Sequence, residues 1–186
     1  MSVLLSVAEH YHHDASDFLD RFDILRDAQL TKTGRIKNFV DLLMGCECAL
    51  KSHVFLSQLD ASPALRYKKV RGASHSIDKL ATMASYMADR KHYDFLKEHL
   101  QDVSVYIRYS LDAYETFFPF FEEYQYAKIN HSSTIGNYTW VSEIRACLTS
   151  MLESSNHEFT GLVTPDFGTI IEHEKEIKEF MNAIGK

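Results

Sequence analysis

The chain has 186 residues, of which 45% are hydrophobic and 25% charged, and its formal net charge is −6 at pH 7. This length and composition suit a single domain of ordinary size and exclude a disordered chain and a fibre. The three cysteines provide no disulfide framework, no apolar run approaches the roughly 20 residues that span a bilayer, and no signal peptide is evident, so we expect a cytoplasmic protein without a membrane partner.

Two long amphipathic helices are predicted at the start of the chain. In the first, hydrophobic residues recur at spacings of three and four, which places on one helix face Leu4, Val7, Ala8, Tyr11, Ala15, Phe18, Leu19, Phe22 and Leu25. The second is expected from about Arg35 to Leu59, with the apolar stripe Ile36, Phe39, Val40, Leu43, Cys46, Glu47, Leu50 and Val54. Ser62-Pro63 follows it, and proline disfavours a helical residue before it.

A basic loop is predicted over residues 61–75, ahead of a helix that Ser76 begins. It holds fixed positive charges on Arg66, Lys68, Lys69 and Arg71 and no acid. Phosphate groups favour basic side chains beside a helix N-terminus, where backbone donors and the helix dipole attract anions. The negative net charge argues against wide, non-specific nucleic-acid binding but permits such a local patch. We therefore predict that these four residues bind RNA or nucleotide phosphate; an ordinary solvated loop is the alternative.

Shorter helices are predicted over the rest of the chain. Their apolar positions are, in order, Ile77, Leu80, Ala81, Ala84 and Met87; Phe95, Leu96, Leu100, Val103 and Ile107; Leu111, Tyr114, Phe117, Phe118 and Phe121; Trp140, Ile144, Leu148, Met151 and Leu152; and Ile170, Ile177, Met181 and Ile184. Thr164-Pro165-Asp166 predicts the start of the last helix, because a capping residue precedes proline at the first position. No convincing strand pair is present. The predicted fold is all-α, a single helical domain over residues 1–186 in which two long antiparallel N-terminal helices form a bundle with shorter helices packed across them.

Glu47 is the most unusual residue of the second helix, because it lies within the apolar stripe. A carboxylate on a buried face is costly unless it is paired and hydrogen-bonded. Lys51, four residues later, can reach it along the helix, and Arg108, which interrupts an apolar and aromatic stretch, is another candidate partner. We predict a buried polar cluster of Glu47, Lys51 and Arg108. It is either a structural ion pair or one side of a binding pocket.

The histidines predict no metal site, and no cofactor motif is recognisable. His10, His13, Asp14 and Asp17 share a helix face opposite the apolar stripe, so we expect them to point into water. A di-iron bundle needs two Glu-x-x-His pairs, and only Glu9-x-x-His12 has that spacing.

The aromatic run Phe117-Phe118-Pro119-Phe120-Phe121 is expected to lie in the core. A subunit contact is the alternative. If these rings are exposed, they predict a dimer or a larger assembly.

Four features, in order along the chain, resemble the HEPN family of prokaryotic helical bundles, which are often found in toxin–antitoxin and antiviral loci. The first is the long amphipathic helix. The others are Glu47-Cys48-Ala49-Leu50-Lys51, similar to the family's Glu-x-Ala-Leu-Lys; His75-Ser76-Ile77-Asp78-Lys79-Leu80, similar to its His-x-Leu-x-x-Leu; and Ile107-Arg108-Tyr109-Ser110, similar to its Arg-Tyr-Ser. The resemblance covers a core of residues 1–125 and leaves 126–186 as a C-terminal helical extension.

Many HEPN proteins are dimeric, metal-independent ribonucleases with the signature Arg, four to six residues, His. None of the eight arginines here has a histidine at that spacing. The resemblance therefore implies a non-catalytic or diverged protein, a homodimer without a cofactor. It would bind RNA, nucleotide or a partner protein, such as a small nucleotidyltransferase, in a defence or toxin–antitoxin system. In this reading Glu47 and Arg108 form the internal pair of the cleft, with Lys51 and His75 beside it.

Two alternatives remain. One is a metal-independent ribonuclease with a rearranged site, for which Arg71, His75 and Arg108 are the candidate catalytic residues, because such cleavage needs a cation for the phosphate charge and an imidazole for the 2′-hydroxyl proton. The other is a structural interaction protein without nucleic-acid affinity; a metal-binding bundle ranks below both.

Overall fold

The structure, a computed structural model, describes residues 2–28, 31–57, 62–124, 126–127, 129–160 and 167–186. Over these residues the chain is helical and contains no strand, which confirms the predicted all-α class. The helices are α1 Val3–Arg26, α2 Lys32–Leu56, α3 Pro63–Ala73, α4 Ile77–Met83, α5 Lys91–Leu100, α6 Ser110–Phe117, α7 Tyr138–Asn156 and α8 Phe167–Ile184, with a short 3₁₀ helix, Val105–Arg108, before α6.

Helices α1 and α2 form the long antiparallel pair that the sequence predicts. Near the start of α2, the Asn38 amide donates a hydrogen bond to the carbonyl of Phe22, near the end of α1. Near the end of α2, the hydroxyl of Ser52 donates to the carbonyl of Ala8, near the start of α1. The described part of α2 ends at Leu56, and the predicted end at Leu59 lies outside the described residues.

Helix α7 crosses this pair where α2 has a glycine. A Cβ atom on Gly45 would lie 2.8 Å from Cδ2 of Leu148 and 3.4 Å from the carbonyl oxygen of Ala15. The missing side chain therefore allows α1 and α7 to approach α2 closely. Leu148 is fully buried, as are Ile144 and Met151. Residues 138–156 thus share one core with α1, α2 and α5 although they lie beyond the region that the family resemblance covers.

The basic segment is a helix, so the predicted loop over residues 61–75 is wrong. Pro63 is the first residue of α3, a position where proline is tolerated because its missing N–H would have no helical partner. Arg66, Val70 and Ala73, at helical spacing, form the buried face. Tyr67 packs edge-on against Phe180 of α8, with ring centroids 5.7 Å apart.

The aromatic run after α6 is only partly buried. Phe117 belongs to the core, and Phe118 is half-buried and stacks on His131. Phe120 and Phe121 are exposed, the latter by 96%. Leu111 and Tyr114 are exposed as well, because α6 has only eight residues and buries only the narrow face of Ala113 and Phe117. The core location expected for the run is therefore wrong for its last two rings.

Helix α8 lies at the periphery. Its only fully buried residue is Phe180, whereas Ile170 and Met181, which the pattern places in the core, are exposed. The helix packs mainly on α3 and α1, so one stripe of it suffices for contact. The predicted start at Thr164-Pro165-Asp166 lies outside the described residues. None of the helices described has the length and apolarity needed to cross a bilayer.

Candidate functional site

Glu47 is buried in α2, with only 1% of its surface exposed, and it is fully paired. Lys51 Nζ lies 2.5 Å from Oε1, one helix turn away. His75 Nδ1, from the turn between α3 and α4, lies 2.9 Å from Oε2. A buried carboxylate is tolerated when both oxygens accept hydrogen bonds from charged or polar donors. The predicted contact between Glu47 and Lys51 is confirmed, and the imidazole of His75 is a second partner of the Glu47 carboxylate.

Arg108 does not join this cluster, so the predicted pairing of Glu47 with Arg108 is wrong. Residues Val105–Arg108 form a 3₁₀ helix that buries Val105 and Ile107 and leaves Tyr106 and Arg108 exposed. The Arg108 guanidinium lies over the Tyr109 ring, 4.9 Å from its centroid. In the described part of the chain Arg108 makes no ion pair with Glu47, and His75 takes the position expected for it.

His75 connects the buried carboxylate with the surface. Its side chain is 48% exposed, and Nε2 has no hydrogen-bond partner among the described residues. Because a carboxylate only accepts, Nδ1 must carry a proton, which directs the second ring nitrogen toward solvent. Ser74, just before it, has φ 53° and ψ −124°, a conformation that is unfavourable for any residue except glycine. This strained residue turns the chain so that His75 points back to α2.

The side chains around Lys51 hold no activated nucleophile. Lys51 Nζ lies 5.4 Å from the ring centroid of Tyr11, which stacks on Phe55. Burial raises the pKa of the Tyr11 hydroxyl to about 12, with a smaller contribution from Tyr67. Burial likewise raises the pKa of the Cys48 thiol to about 12. Both groups are therefore protonated at neutral pH, and neither is an activated nucleophile.

The four basic residues of the predicted loop do not converge on one point. Arg66 is buried on the inner face of α3, while Lys68, Lys69 and Arg71 are exposed. The helical arrangement turns Arg66 inward together with Val70, away from the surface on which the loop prediction placed it. Phosphate binding by the four residues stays a prediction. The other three remain on the surface of the helix that leads to His75.

A shallow groove of 360 Å³ opens beside His75, between the α3–α4 turn and the segment after α5. Its polar and aromatic lining includes Ser74, His75, Lys79, Gln101, Ser104 and Tyr106. Lys79 also lines an adjoining groove together with Lys69. The Tyr106 ring is 55% exposed. The two grooves, which share Lys79, are therefore lined by an imidazole, two ammonium groups and an open aromatic ring, together with the carboxylates of Asp78 and Asp102. The cationic groups and the ring suit a phosphate and a stacked base.

No cluster of three His, Cys, Asp or Glu side chains in the described segments could hold a metal ion. His10, His13, Asp14 and Asp17 are exposed, as the helix pattern predicts.

The structure reveals a buried histidine that sequence reasoning missed. His53 lies in α2 between Leu50 and Val54, and its ring nitrogens contact the Tyr93 hydroxyl at 2.8 Å and the Met151 carbonyl at 3.1 Å. Burial lowers the pKa of His53 from 6.5 to about 4. Its position on the apolar stripe of α2 was the available signal, the same one that identified Glu47. His53 joins α2, α5 and α7 and has no solvent access.

No protein-family model, curated protein or solved structure matches the chain. The function must therefore be inferred from the geometry of the groove and from the family resemblance of its motifs.

Proposed function

We propose that this chain is a HEPN-like helical protein that binds single-stranded RNA in the groove beside His75. The observation that carries the proposal is the position of His75, which is anchored on the buried Glu47 and half exposed in a groove with Lys79 and Tyr106. Glu47, Lys51 and His75 come from two of the motifs that carry the family resemblance. Arg108 gives that resemblance no support as a partner of Glu47, because it stacks on Tyr109 instead.

Each side chain has a part that follows from its chemistry. Lys69 and Lys79 attract the phosphodiester backbone, because ammonium groups release counterions from the nucleic acid when they bind it. Tyr106 offers its exposed ring to a base, since stacking needs no particular sequence. Nε2 of His75 lies in the same groove as Lys79 and Tyr106, and it contacts a phosphate or a 2′-hydroxyl of the RNA. Lys68 and Arg71, exposed on α3, extend the positive surface.

The biological setting rests mainly on the resemblance, with the cytoplasmic location also expected from the composition. It includes a defence or toxin–antitoxin role, a cytoplasmic homodimer and an interaction with a nucleotidyltransferase. The exposed rings of Phe120 and Phe121 provide an apolar surface for such a contact.

Binding can be tested by fluorescence anisotropy with a labelled single-stranded RNA over a series of salt concentrations. The groove variant is the double substitution Lys69→Met and Lys79→Met. The control, Lys91→Met with Lys175→Met, removes the same charge from exposed positions on α5 and α8. We expect the groove variant to lower affinity at least about tenfold and the log–log salt slope by about 1.4, two phosphate contacts at about 0.7 each. Equal losses in both variants would show that the groove is not the binding surface.

A second candidate function, a metal-independent ribonuclease, is favoured by the Glu47–His75 contact. The carboxylate keeps the proton on Nδ1, so Nε2 of a neutral ring can accept the 2′-hydroxyl proton. The 2′-oxygen then attacks the phosphorus while the bond from phosphorus to the 5′-oxygen breaks, which gives a 2′,3′-cyclic phosphate. The proton held by the imidazolium, transferred directly or through water, ends on the departing 5′-oxygen. Lys79, in the same groove, would stabilise the developing charge.

This second candidate is tested by incubating the protein with RNA in the presence of EDTA. Cyclic phosphate ends that disappear in His75→Gln, while Lys91→Met still forms them, would establish catalysis. Intact RNA in a preparation that binds RNA leaves the binding function and excludes the ribonuclease.

A further inference from the structure

Residues 84–90 connect α4 to α5 without forming a helix and lie as a short strap beside the end of α2. The backbone N–H of Ser85 donates to the hydroxyl of Ser57, the residue that follows α2, at 3.1 Å. The hydroxyl of Tyr86 donates to Oε1 of Glu158, just beyond the end of α7, at 2.8 Å. Hydrogen bonds therefore fasten the strap to the ends of two helices.

Arg90 closes the strap on itself. Its guanidinium donates to the carbonyls of Ala84 and Ala81 at 2.9 and 3.0 Å. Within the strap only Ala84 is fully buried, whereas Tyr86 and Met87 are half-buried and the other residues are exposed. Little apolar surface would leave the core if the strap lifted, so its position depends more on hydrogen bonds than on packing.

The hydrogen bonds beneath the strap run in one direction and require a neutral His53, whose ring lies 5.1 Å from that of Tyr86. The Met151 carbonyl can only accept, so Nε2 of His53, 3.1 Å away, carries the ring proton. Nδ1 then accepts from the Tyr93 hydroxyl at 2.8 Å, and the oxygen of that hydroxyl accepts from the Met87 N–H of the strap at 2.9 Å. One tyrosine thus connects the strap with the protonation state of the histidine.

A second proton on His53 would reverse its contact with Tyr93. Nδ1 would become a donor, and the hydrogen of the Tyr93 hydroxyl would lose its acceptor. Tyr93 is fully buried, and among the described residues no other group accepts this hydrogen. A buried donor without a partner is costly, whereas water could accept it once the strap has lifted. Proton binding therefore favours an open strap.

The ionisable groups that face His53 act in the same direction. Burial lowers the pKa of His53 to about 4, and the charges of His12 on α1 and His92 on α5 lower it further. In the described segments no carboxylate pairs with His53, and Glu158 accepts its hydrogen bond from Tyr86 instead. Acid therefore adds positive charge around the buried ring without a counter-charge.

We propose that residues 84–90 form an acid-released strap, which closes over neutral His53 and opens when this ring binds a second proton. Opening exposes the junction of α2, α5 and α7 while the helices remain folded, and it does not depend on the RNA site. Because the closed form has the lower pKa, the closed strap is favoured above pH 6.5, and this preference is lost as the pH falls toward 4.

Amide hydrogen exchange of the full chain, followed by NMR and corrected for the chemical exchange rate at each pH, tests the strap. The protection factor of the Met87 amide should fall about twentyfold from pH 7 to pH 5, because opening returns the pKa of His53 from about 4 to 6.5. It should stay at least about tenfold below that of the Leu50 amide in α2, since the strap opens without unfolding the helix. His53→Gln should abolish the fall, whereas His10→Gln, at an exposed position on α1, should retain it.

Tyr93→Phe is a second variant, which keeps the ring and removes the hydroxyl that joins His53 to the strap. Relative to the Leu50 amide, its Met87 amide should already be at least about tenfold less protected at pH 7 than in the original protein. Equal protection of the Met87 and Leu50 amides in the original protein at pH 5 would overturn the proposal, because the strap would then open only with the whole molecule. An unchanged Met87 protection factor between pH 7 and pH 5 would overturn it too, as would a full fall in a folded His53→Gln.

Discussion

The carboxylate of Glu47 and the imidazole of His75 are in direct contact, Oε2 to Nδ1 at 2.9 Å, although one side chain is buried and the other is half exposed. The contact joins the interior of α2 to the turn between α3 and α4. It therefore holds the imidazole beside the groove and leaves its Nε2 atom open to the groove. The rigidity of this site depends on a charge that the core tolerates only while its partners are present.

Glu47→Ala should destabilise the protein by about 2 to 3 kcal/mol. The change removes the common partner of Lys51 and His75 and leaves the ammonium group mostly buried without a counter-charge. Urea unfolding followed by circular dichroism measures the effect. Asp94→Asn, which breaks an exposed pair of the same i,i+4 spacing with Arg90, should cost less than about 1 kcal/mol. Similar values for the two variants would mean that Glu47 is solvated in solution.

Stability should fall as the pH drops from about 6.5 to about 4, because burial lowers the pKa of His53 to about 4. Between these values the unfolded chain binds a proton that the folded protein excludes, so acid favours unfolding. The free energy of unfolding above pH 6.5 exceeds that near pH 4 by on the order of 3 kcal/mol through His53, and this difference is lost progressively on acidification. Burial lowers the pKa of His12 too, in the same direction.

Urea unfolding at a series of pH values measures this slope, and His53→Gln is the matched variant, since its amide cannot ionise in this range. We expect the variant to lose most of the pH dependence and to keep the smaller part due to His12, His92 and His131, because burial lowers the pKa of each of them. An NMR titration in which the His53 ring protonates near pH 6.5 in the folded protein would contradict the prediction.

Ser74→Gly should stabilise the protein by about 1 kcal/mol, because glycine adopts the positive φ of this position without strain. Ser74→Ala keeps the strained Cβ and is expected to leave the free energy of unfolding within about 0.5 kcal/mol. The midpoint of urea unfolding distinguishes the two. A glycine variant less stable than the alanine variant would show that the backbone at Ser74 differs in solution.

The three thiols should be unreactive in the folded protein. Cys46, Cys48 and Cys147 are all buried, and burial raises the pKa of the Cys48 and Cys147 thiols to about 12. Ellman's reagent at pH 8 should therefore react slowly with native protein and rapidly in denaturing urea. Fast reaction of one thiol without denaturant would contradict this burial.

Helix geometry alone predicts a contact in the polar cluster only where both partners lie on one helix, whereas the position of His75 beside Glu47 followed from the family resemblance. Glu47 and Lys51 are four residues apart, so a helical pattern alone places them in contact. The predicted pairing of Arg108 with Glu47 was wrong because the 3₁₀ helix determines the direction of the side chain. This helix turns Ile107 inward and Arg108 outward. His75 reaches Glu47 through the unusual backbone of Ser74, and no sequence pattern marks a serine with positive φ.

The helices likewise divide into those that local sequence periodicity predicts and those that it does not. The long helices follow from their apolar periodicity. The periodicity of α3 is obscured because its buried face includes Arg66, a residue type that is usually on the surface. A cavity lined by Phe22, Asn38 and Val141 could not be predicted, since it forms where three helices from distant parts of the chain meet. Nothing in the sequence around Asn38 indicates that its side-chain oxygen is buried without a hydrogen-bond partner.

The edge-on contact between Tyr67 and Phe180 has a mechanical consequence for the groove. Tyr67 lies two residues from Lys69 on α3, and this helix leads directly into the turn of Ser74 and His75. Helix α8 therefore packs against the helix that supports the proposed RNA site, although none of its residues lines the groove. Any event that displaces the last helix, whether a partner protein or a truncation, would loosen the wall and alter RNA affinity from a distance.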